Sequence, residues 1–159
     1  MATVDLREWR EILTPCPMMP EPVASYVFFV NSLSDAKARI IEVLGKYGMP
    51  YVTFPDDNNI VTCRMRFILD REDNTVTFAL DPDHVRIGLS QNPSQVLDAV
   101  SRKAMEIIEF AIALLKEVGL VNNENEAKVR ESMIRSWGEW IEVPKALLPI
   151  FLGKLMGSG

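Results

Sequence analysis

The sequence predicts an α+β domain: a mostly antiparallel sheet of about five strands, with helices packed on one face and a helical C-terminal third. Two observations lead to this fold class. Between residues 51 and 89, short segments rich in β-branched and aromatic residues alternate with turn-forming Asp, Asn and Pro clusters. From residue 93 onward, apolar residues instead recur at helical spacing. Strands followed by helices are typical of an α+β arrangement.

The chain has 159 residues, of which 48% are hydrophobic and 25% charged, as in an average globular domain. We assign residues 1–22 to an N-terminal helix and a proline-rich connector. Residues 23–156 then form a single α+β domain with a helical extension from about residue 93.

The first predicted element is a short amphipathic helix over residues 4–13, because Leu6, Trp9 and Leu13 recur at helical spacing. An extended connector follows, since prolines fix φ and remove backbone donors. The four prolines of this connector are Pro15, Pro17, Pro20 and Pro22.

An interior strand is predicted over residues 23–31, because apolar side chains lie on both of its faces. A helix is predicted over residues 34–47, with Ser32 or Ser34 as the N-cap and Gly48 followed by Pro50 as the stop signal.

An antiparallel meander of four segments is predicted next, with apolar side chains on one face and polar side chains on the other. The segments are Tyr51–Phe54, residues 60–69, Thr75–Leu80 and residues 84–89.

A long helix is predicted from Asn92 and Pro93 to about Val118, where Gly119 ends it. Another helix follows to about residue 141. Residues 144–156 are nearly all apolar and predict a final helix.

The polar face of the meander carries the candidate binding site. Strict alternation places Arg64, Arg66, Arg86 and His84, the single histidine, on this face. Such a patch can bind a carboxylate, a phosphate or an acidic partner segment, because guanidinium groups bind these anions bidentately. The alternative is an ordinary solvated sheet face whose arginines pair with acidic residues on neighbouring strands.

The apolar C-terminal region carries the candidate interface. It either fills the core of its own domain, covers a second subunit, or lies on a hydrophobic groove or membrane surface. The residues proposed for a subunit interface are Trp137, Trp140, Leu148, Phe151 and Leu152.

No catalytic residue, metal site or cofactor is predicted. The sequence lacks G-x-S-x-G, P-loop and G-x-G-x-x-G motifs. The acidic clusters at Asp56-Asp57 and Asp81-Pro82-Asp83-His84 are typical of turns. Glu106 and Glu109 are predicted to lie on a solvent-exposed helix face, where they form salt bridges.

Net charge and cysteine content bear on the expected partners and cellular compartment of the protein. A net charge of −5 disfavours nucleic acid as a partner. Cys16 and Cys63 lie in different segments without CxxC spacing, so we expect neither a disulfide nor a thiolate metal site. We therefore expect the protein to reside in a reducing cytoplasm. Neither a secretory signal nor a membrane span is predicted.

The order of elements over roughly residues 34–118, a helix, an antiparallel meander and a long helix, resembles the YbjN-like and type III secretion chaperone-like families. The resemblance implies a non-enzymatic homodimer that binds a partner polypeptide. Its dimer surface would be the apolar C-terminal helices, and its docking surface the face with Arg64, Arg66 and Arg86.

Two functions follow as hypotheses. The first is a cytoplasmic, homodimeric and non-enzymatic protein-interaction module that docks an acidic partner on the polar sheet face. The alternative is a small-molecule sensor or enzyme that binds an anionic ligand over Arg64, Arg66 and Arg86, with His84 as the proton carrier.

Overall fold

The computed structural model describes residues 4–18, 24–55, 58–82 and 93–140. These residues form one five-stranded antiparallel sheet and a set of helices, which confirms the predicted α+β class. A 3-10 turn at Leu6–Glu8 leads into α1 at Trp9–Ile12. The remaining helices are α2 (Leu33–Lys46), α3 (Pro93–Val118) and α4 (Glu126–Trp140). The strands are β1 (Ala24–Phe29), β2 (Tyr51–Phe54), β3 (Asn59–Thr62), β4 (Met65–Asp70) and β5 (Thr75–Leu80).

The strand order across the sheet is β1-β5-β4-β3-β2, and all neighbours are antiparallel. β2 to β5 follow one another as an antiparallel meander, but these four strands correspond to only three of the predicted segments, and β1 pairs with β5. β1 and β2 are therefore the two edge strands of the sheet that the structure describes, and the prediction of an interior strand over residues 23–31 is wrong.

The predicted helix over residues 34–47 is observed as α2. The Ser32 side chain accepts a hydrogen bond from the Asp35 N–H at 3.2 Å, which satisfies one free donor at the helix start. Beyond its end, Gly48 has a φ of +66°, a left-handed conformation that favours glycine.

The core lies between one face of the sheet, here called the inner face, and helices α2, α3 and α4. The inner-face side chains are Ala24, Phe28, Ile60, Met65, Phe67, Leu69, Val76, Phe78 and Leu80. The helices contribute Leu44 from α2, Phe110 from α3 and Trp137 from α4, each fully buried. Burial of this apolar set is the main stabilising contribution to the fold.

The predicted single strand over residues 60–69 is instead two strands, because the chain turns back at Cys63 and Arg64. Thr62 pairs with Met65, and Arg64 has a φ of +60°. The turn reverses the predicted facing of Val61. This side chain now lies opposite Arg66, on the face away from the core, which we call the outer face.

The outer face is not the polar surface that alternation predicted. Its apolar members come from every strand, and several of its polar members, such as Asn59 and Thr75, are buried. The apolar side chains of the outer face are Val27, Phe29, Val52, Phe54, Val61, Ile68 and Ala79.

Ion pairs join α3 to α4. Arg130 donates to both carboxylate oxygens of Glu109, at 2.6 and 3.0 Å, and to Glu126 at 3.0 Å. Lys116 also pairs with Glu126. Hydrogen bonding from Lys116, followed by that from Arg130, lowers the pKa of Glu126 even though partial burial opposes this shift.

We expect acidification to weaken this helix pair. A carboxylate whose pKa is lowered by folding stabilises the protein above its unfolded pKa, and this contribution is lost as the pH falls through the folded pKa. Glu126→Gln should reduce the free energy of unfolding by less than about 1 kcal/mol at pH 7 and flatten its decline below about pH 5. Urea unfolding at pH 7, 5 and 3.5 measures this, with exposed Glu124→Gln as the matched control. Equal pH dependence in both variants would contradict the prediction.

Two predicted elements, residues 84–89 and residues 144–156, lie outside the described residues. None of the helices in the described part of the chain has the length and apolarity that a bilayer crossing requires.

Candidate functional site

Arg66 is the predicted site residue that lies on the outer face. It stands on β4 and is partly buried, in a row with Val52, Val61 and Ala79. Its Nε donates a hydrogen bond to Asn59 Oδ1 at 2.9 Å, which draws the guanidinium toward β3. Within the described part of the chain, Arg66 has no carboxylate partner. A half-buried cation of this kind is suited to a carboxylate supplied from outside.

Arg64 lies elsewhere than predicted. It is only 2% exposed, in the turn between β3 and β4, and not on the outer face. Its Nε donates to the Leu13 carbonyl at 2.9 Å and its Nη1 to the Asp81 carbonyl at 3.3 Å. The side chain therefore joins the N-terminal segment to the end of β5, and its position does not allow contact with a partner.

The backbone around Arg64 continues this attachment. The Arg64 N–H donates to the Pro17 carbonyl at 2.9 Å, and the Asp81 N–H donates to the Arg64 carbonyl at 2.9 Å. Farther along, Lys103 Nζ donates to the Ile12 carbonyl at 2.7 Å, and Trp9 Nε1 donates to the Tyr47 carbonyl at 2.9 Å. The N-terminal segment is thus fixed to the sheet, to α3 and to the end of α2.

Cys16 and Cys63 form a disulfide, contrary to the prediction that they would not pair. Their Cα atoms are 4.7 Å apart although 47 positions separate them in sequence. The β3–β4 turn brings Cys63 to the proline-rich segment, a proximity that sequence spacing cannot indicate. The described chain therefore contains no free cysteine.

The other predicted site residues fall into two groups. Trp137 is fully buried in the core of its own chain, which leaves it no exposed surface for a subunit contact. The side chains of the remaining six lie outside the described residues. These are His84, Arg86, Trp140, Leu148, Phe151 and Leu152.

Exposed apolar side chains form a surface feature that the sequence prediction missed. The large hydrophobic residues that are exposed in the described part of the chain all lie on the two edge strands. They are Val27 and Phe29 on β1, and Tyr51, Val52 and Phe54 on β2. Phe29 is 83% exposed. A signal was present in the sequence: β2 is a short uncharged strand enclosed by Pro50 and Pro55, as is common for a strand at a sheet edge.

One cleft, of about 670 Å³, lies among the N-terminal turn, the end of α2 and α3. Its charged groups already pair with one another: Lys46 Nζ contacts Glu117 at 2.9 Å, and Arg7 contacts Asp5 at 3.0 Å. Hydrogen bonds from Lys46 and Tyr47 lower the pKa of Glu117. These mutual pairs make the cleft a poor match for a charged ligand.

Two further clefts also lack the predicted arginines. One of about 440 Å³ lies between β1 and the α3–α4 connection, and one of about 350 Å³ lies between the start of α2 and the end of β4. Neither Arg64 nor Arg66 lines any of these three clefts. None of these three clefts therefore offers the anionic small-molecule alternative a concavity over these two residues.

No group of three or more His, Cys, Asp or Glu side chains within the described residues is arranged to hold a metal ion. Comparison with protein-family models, curated proteins and solved structures finds no match for the chain. The resemblance to the YbjN-like and type III secretion chaperone-like families therefore stays a prediction.

Proposed function

We propose that the protein is a homodimeric, non-enzymatic protein-interaction module that docks an acidic partner segment at the outer face of its sheet. The observation that carries this proposal is the combination of exposed apolar side chains on β2 with the nearby half-buried Arg66. Val52 and Arg66 lie in one row of the sheet, with the buried Val61 between them. Exposed apolar residues near a cation that has no carboxylate partner within the described part of the chain suit a polypeptide that carries both apolar and acidic side chains.

The homodimeric part of the proposal concerns the apolar C-terminal segment. Leu148, Phe151 and Leu152 supply the self-association surface in this hypothesis, together with Trp140. Aromatic and aliphatic residues of this kind are enriched at the centres of subunit interfaces. Because Trp137 is buried in its own chain, it is left out of the proposed interface.

A cytoplasmic location is also part of the proposal. The disulfide between Cys16 and Cys63 is more typical of an oxidising compartment. Alkylation of thiols in intact cells before lysis, followed by mass spectrometry of the purified chain, tests the location. Alkylated cysteines indicate a reducing compartment, whereas an intact disulfide contradicts a cytoplasmic location.

Docking is tested by selection from a displayed library of random 12-residue peptides on the immobilised protein. We expect the selected peptides to be enriched in Asp or Glu flanked by apolar residues. Arg66→Glu should reduce their affinity at least tenfold, because one charge-assisted hydrogen bond contributes about 1.4 kcal/mol or more.

Arg71→Glu is the matched control, because Arg71 is exposed in the β4–β5 turn and away from the β2 side of the sheet. Circular dichroism verifies that both variants keep the fold. Selected peptides without acidic enrichment, or equal affinity for wild type and Arg66→Glu, would contradict the proposed docking site.

A further inference from the structure

β2 is an edge strand: in the described part of the chain, it has β3 on one side and no strand along its other edge. Alternate backbone N–H and C=O groups of an edge strand point away from the sheet. The four residues Tyr51–Phe54 are exposed along the whole strand, and Val52 is 46% exposed. Its outward backbone groups are therefore accessible to an added strand.

β2 is short and enclosed by Pro50 and Pro55, but the strand itself carries nothing that opposes pairing. It contains no charged residue, proline or glycine, and its pairing with β3 is regular over all four residues. The other edge differs, because α4 packs closely against β1. An uncharged and regular edge is the usual receptor for β-strand addition.

We propose that β2 binds an extended segment of a partner polypeptide as a sixth strand, with an acidic side chain of that segment directed to Arg66. The inference deepens the proposed function and rests on it, since it specifies how the acidic partner is held. Backbone hydrogen bonds to β2 would supply affinity, and the acidic contact would supply selectivity.

Charge complementarity identifies the occupant. Strands β2 and β3 contain no charged residue, so Arg66 on β4 is the nearest cation to this edge among the described residues of the outer face. A partner carboxylate would give the partly buried guanidinium of Arg66 a counter-charge that no described residue supplies. A second copy of β2 offers only Tyr, Val, Thr and Phe, and so provides no carboxylate for this contact.

The contact requires the side chains of Arg66 and of the partner residue to extend toward each other along the outer face. Neighbouring strands are about 4.8 Å apart, which places a sixth strand roughly 10 Å from β3. The hydrogen bond of Arg66 Nε to Asn59 Oδ1, at 2.9 Å, holds the guanidinium toward β3 and thus toward the edge. A glutamate side chain on the outer face of the sixth strand spans about half of this distance, so the Arg66 side chain must extend over β3 to meet it.

The probe is the alternating peptide acetyl-TVTETVT-amide, which places two valines and one glutamate on a single face of a strand. Its neutral analogue, acetyl-TVTQTVT-amide, keeps the shape and removes the charge. We expect the glutamate peptide to bind about tenfold more tightly than the glutamine peptide to wild type. This ratio should fall to about one in Arg66→Gln.

Strand addition itself is tested by Val52→Lys, because a charged edge residue opposes pairing. The matched control is Val27→Lys on the other edge, where Val27 is 48% exposed and Val52 is 46% exposed. The glutamine peptide cannot form an ion pair with the new lysine, so its binding is measured here: we expect at least a tenfold loss for Val52→Lys and unchanged binding for Val27→Lys. Hydrogen exchange of the wild type gives a readout without mutation: the peptide should protect backbone amides within Tyr51–Phe54.

Several results would overturn the proposal. These are equal binding of the two peptides, absence of binding at millimolar peptide, unaltered binding by Val52→Lys, or protection confined to β1. Protection of β2 that rises with protein concentration alone would assign the edge to a second copy. If library peptides depend on Arg66 but not on Val52, the proposed function stands and strand addition fails.

Discussion

We expect replacement of Cys16 and Cys63 by alanine to lower the free energy of unfolding by about 4 kcal/mol. The disulfide closes a loop with a sequence separation of 47, and removing it restores conformational freedom to the unfolded chain. For a small domain this is a large part of the total stability. Cys63 is fully buried, so alanine avoids placing an unpaired hydroxyl in the core.

The variant should nevertheless fold. The N-terminal segment keeps its hydrogen bonds from Arg64 to Leu13 and from Lys103 to Ile12, and Trp9 stays buried. Urea unfolding of the oxidised wild type, the wild type reduced with a dithiol, and the double alanine variant measures the effect. The reduced wild type should match the variant within about 1 kcal/mol. Equal stability of the oxidised and reduced proteins would contradict the prediction.

Arg64→Met should lower the free energy of unfolding by about 3 kcal/mol. Methionine retains much of the apolar stem but leaves the carbonyls of Leu13 and Asp81 without the hydrogen bonds that the guanidinium donates. Hydrogen bonds from a charged donor contribute more than neutral ones, and the loss of two of them within a buried site is not compensated by water.

Arg66→Met is the matched control for this prediction. Arg66 is only partly buried and donates one side-chain hydrogen bond, to Asn59, so its replacement should change the stability by less than about 1 kcal/mol. Chemical unfolding of both variants measures the two losses in the free energy of unfolding. A larger loss for Arg66→Met than for Arg64→Met would show that the roles of the two arginines are assigned wrongly.

Most of the fold could be predicted from local signals. α3 begins at Pro93 and ends at Val118 as predicted, because proline favours the first helical position and Gly119, with a φ of +93°, ends the helix. β5 matches its predicted bounds, since two turn clusters enclose its alternating residues. Here the local sequence preferences and the tertiary structure agree.

The break between β3 and β4 could not be predicted in the same way. Tight turns are normally identified by Gly, Asn or Asp, whereas this turn uses Cys63 and Arg64. The left-handed conformation of Arg64 is supported by contacts with Pro17 and Asp81, which are far away in sequence. A shift of one residue exchanges the two faces of a strand. Because the turn was missed, Val61 was therefore predicted on the wrong face of the sheet.

The same tertiary contacts explain which parts of the site were missed. Sequence alternation placed Arg64 with Arg66, but burial separates them into a structural residue and a candidate binding residue. The disulfide depends on the Cys63 turn and could not be inferred from spacing. The exposed edge strand β2 could have been noted from its bracketing prolines and its lack of charge.

Native mass spectrometry of the purified chain, followed by a denaturing measurement of the same sample, tests most directly the claim that this is a homodimeric interaction module. The expected result is a species of twice the 18.0 kDa chain mass that yields only the bare chain on denaturation. A monomer that carries a retained small molecule would contradict the claim and favour a ligand-binding sensor or enzyme.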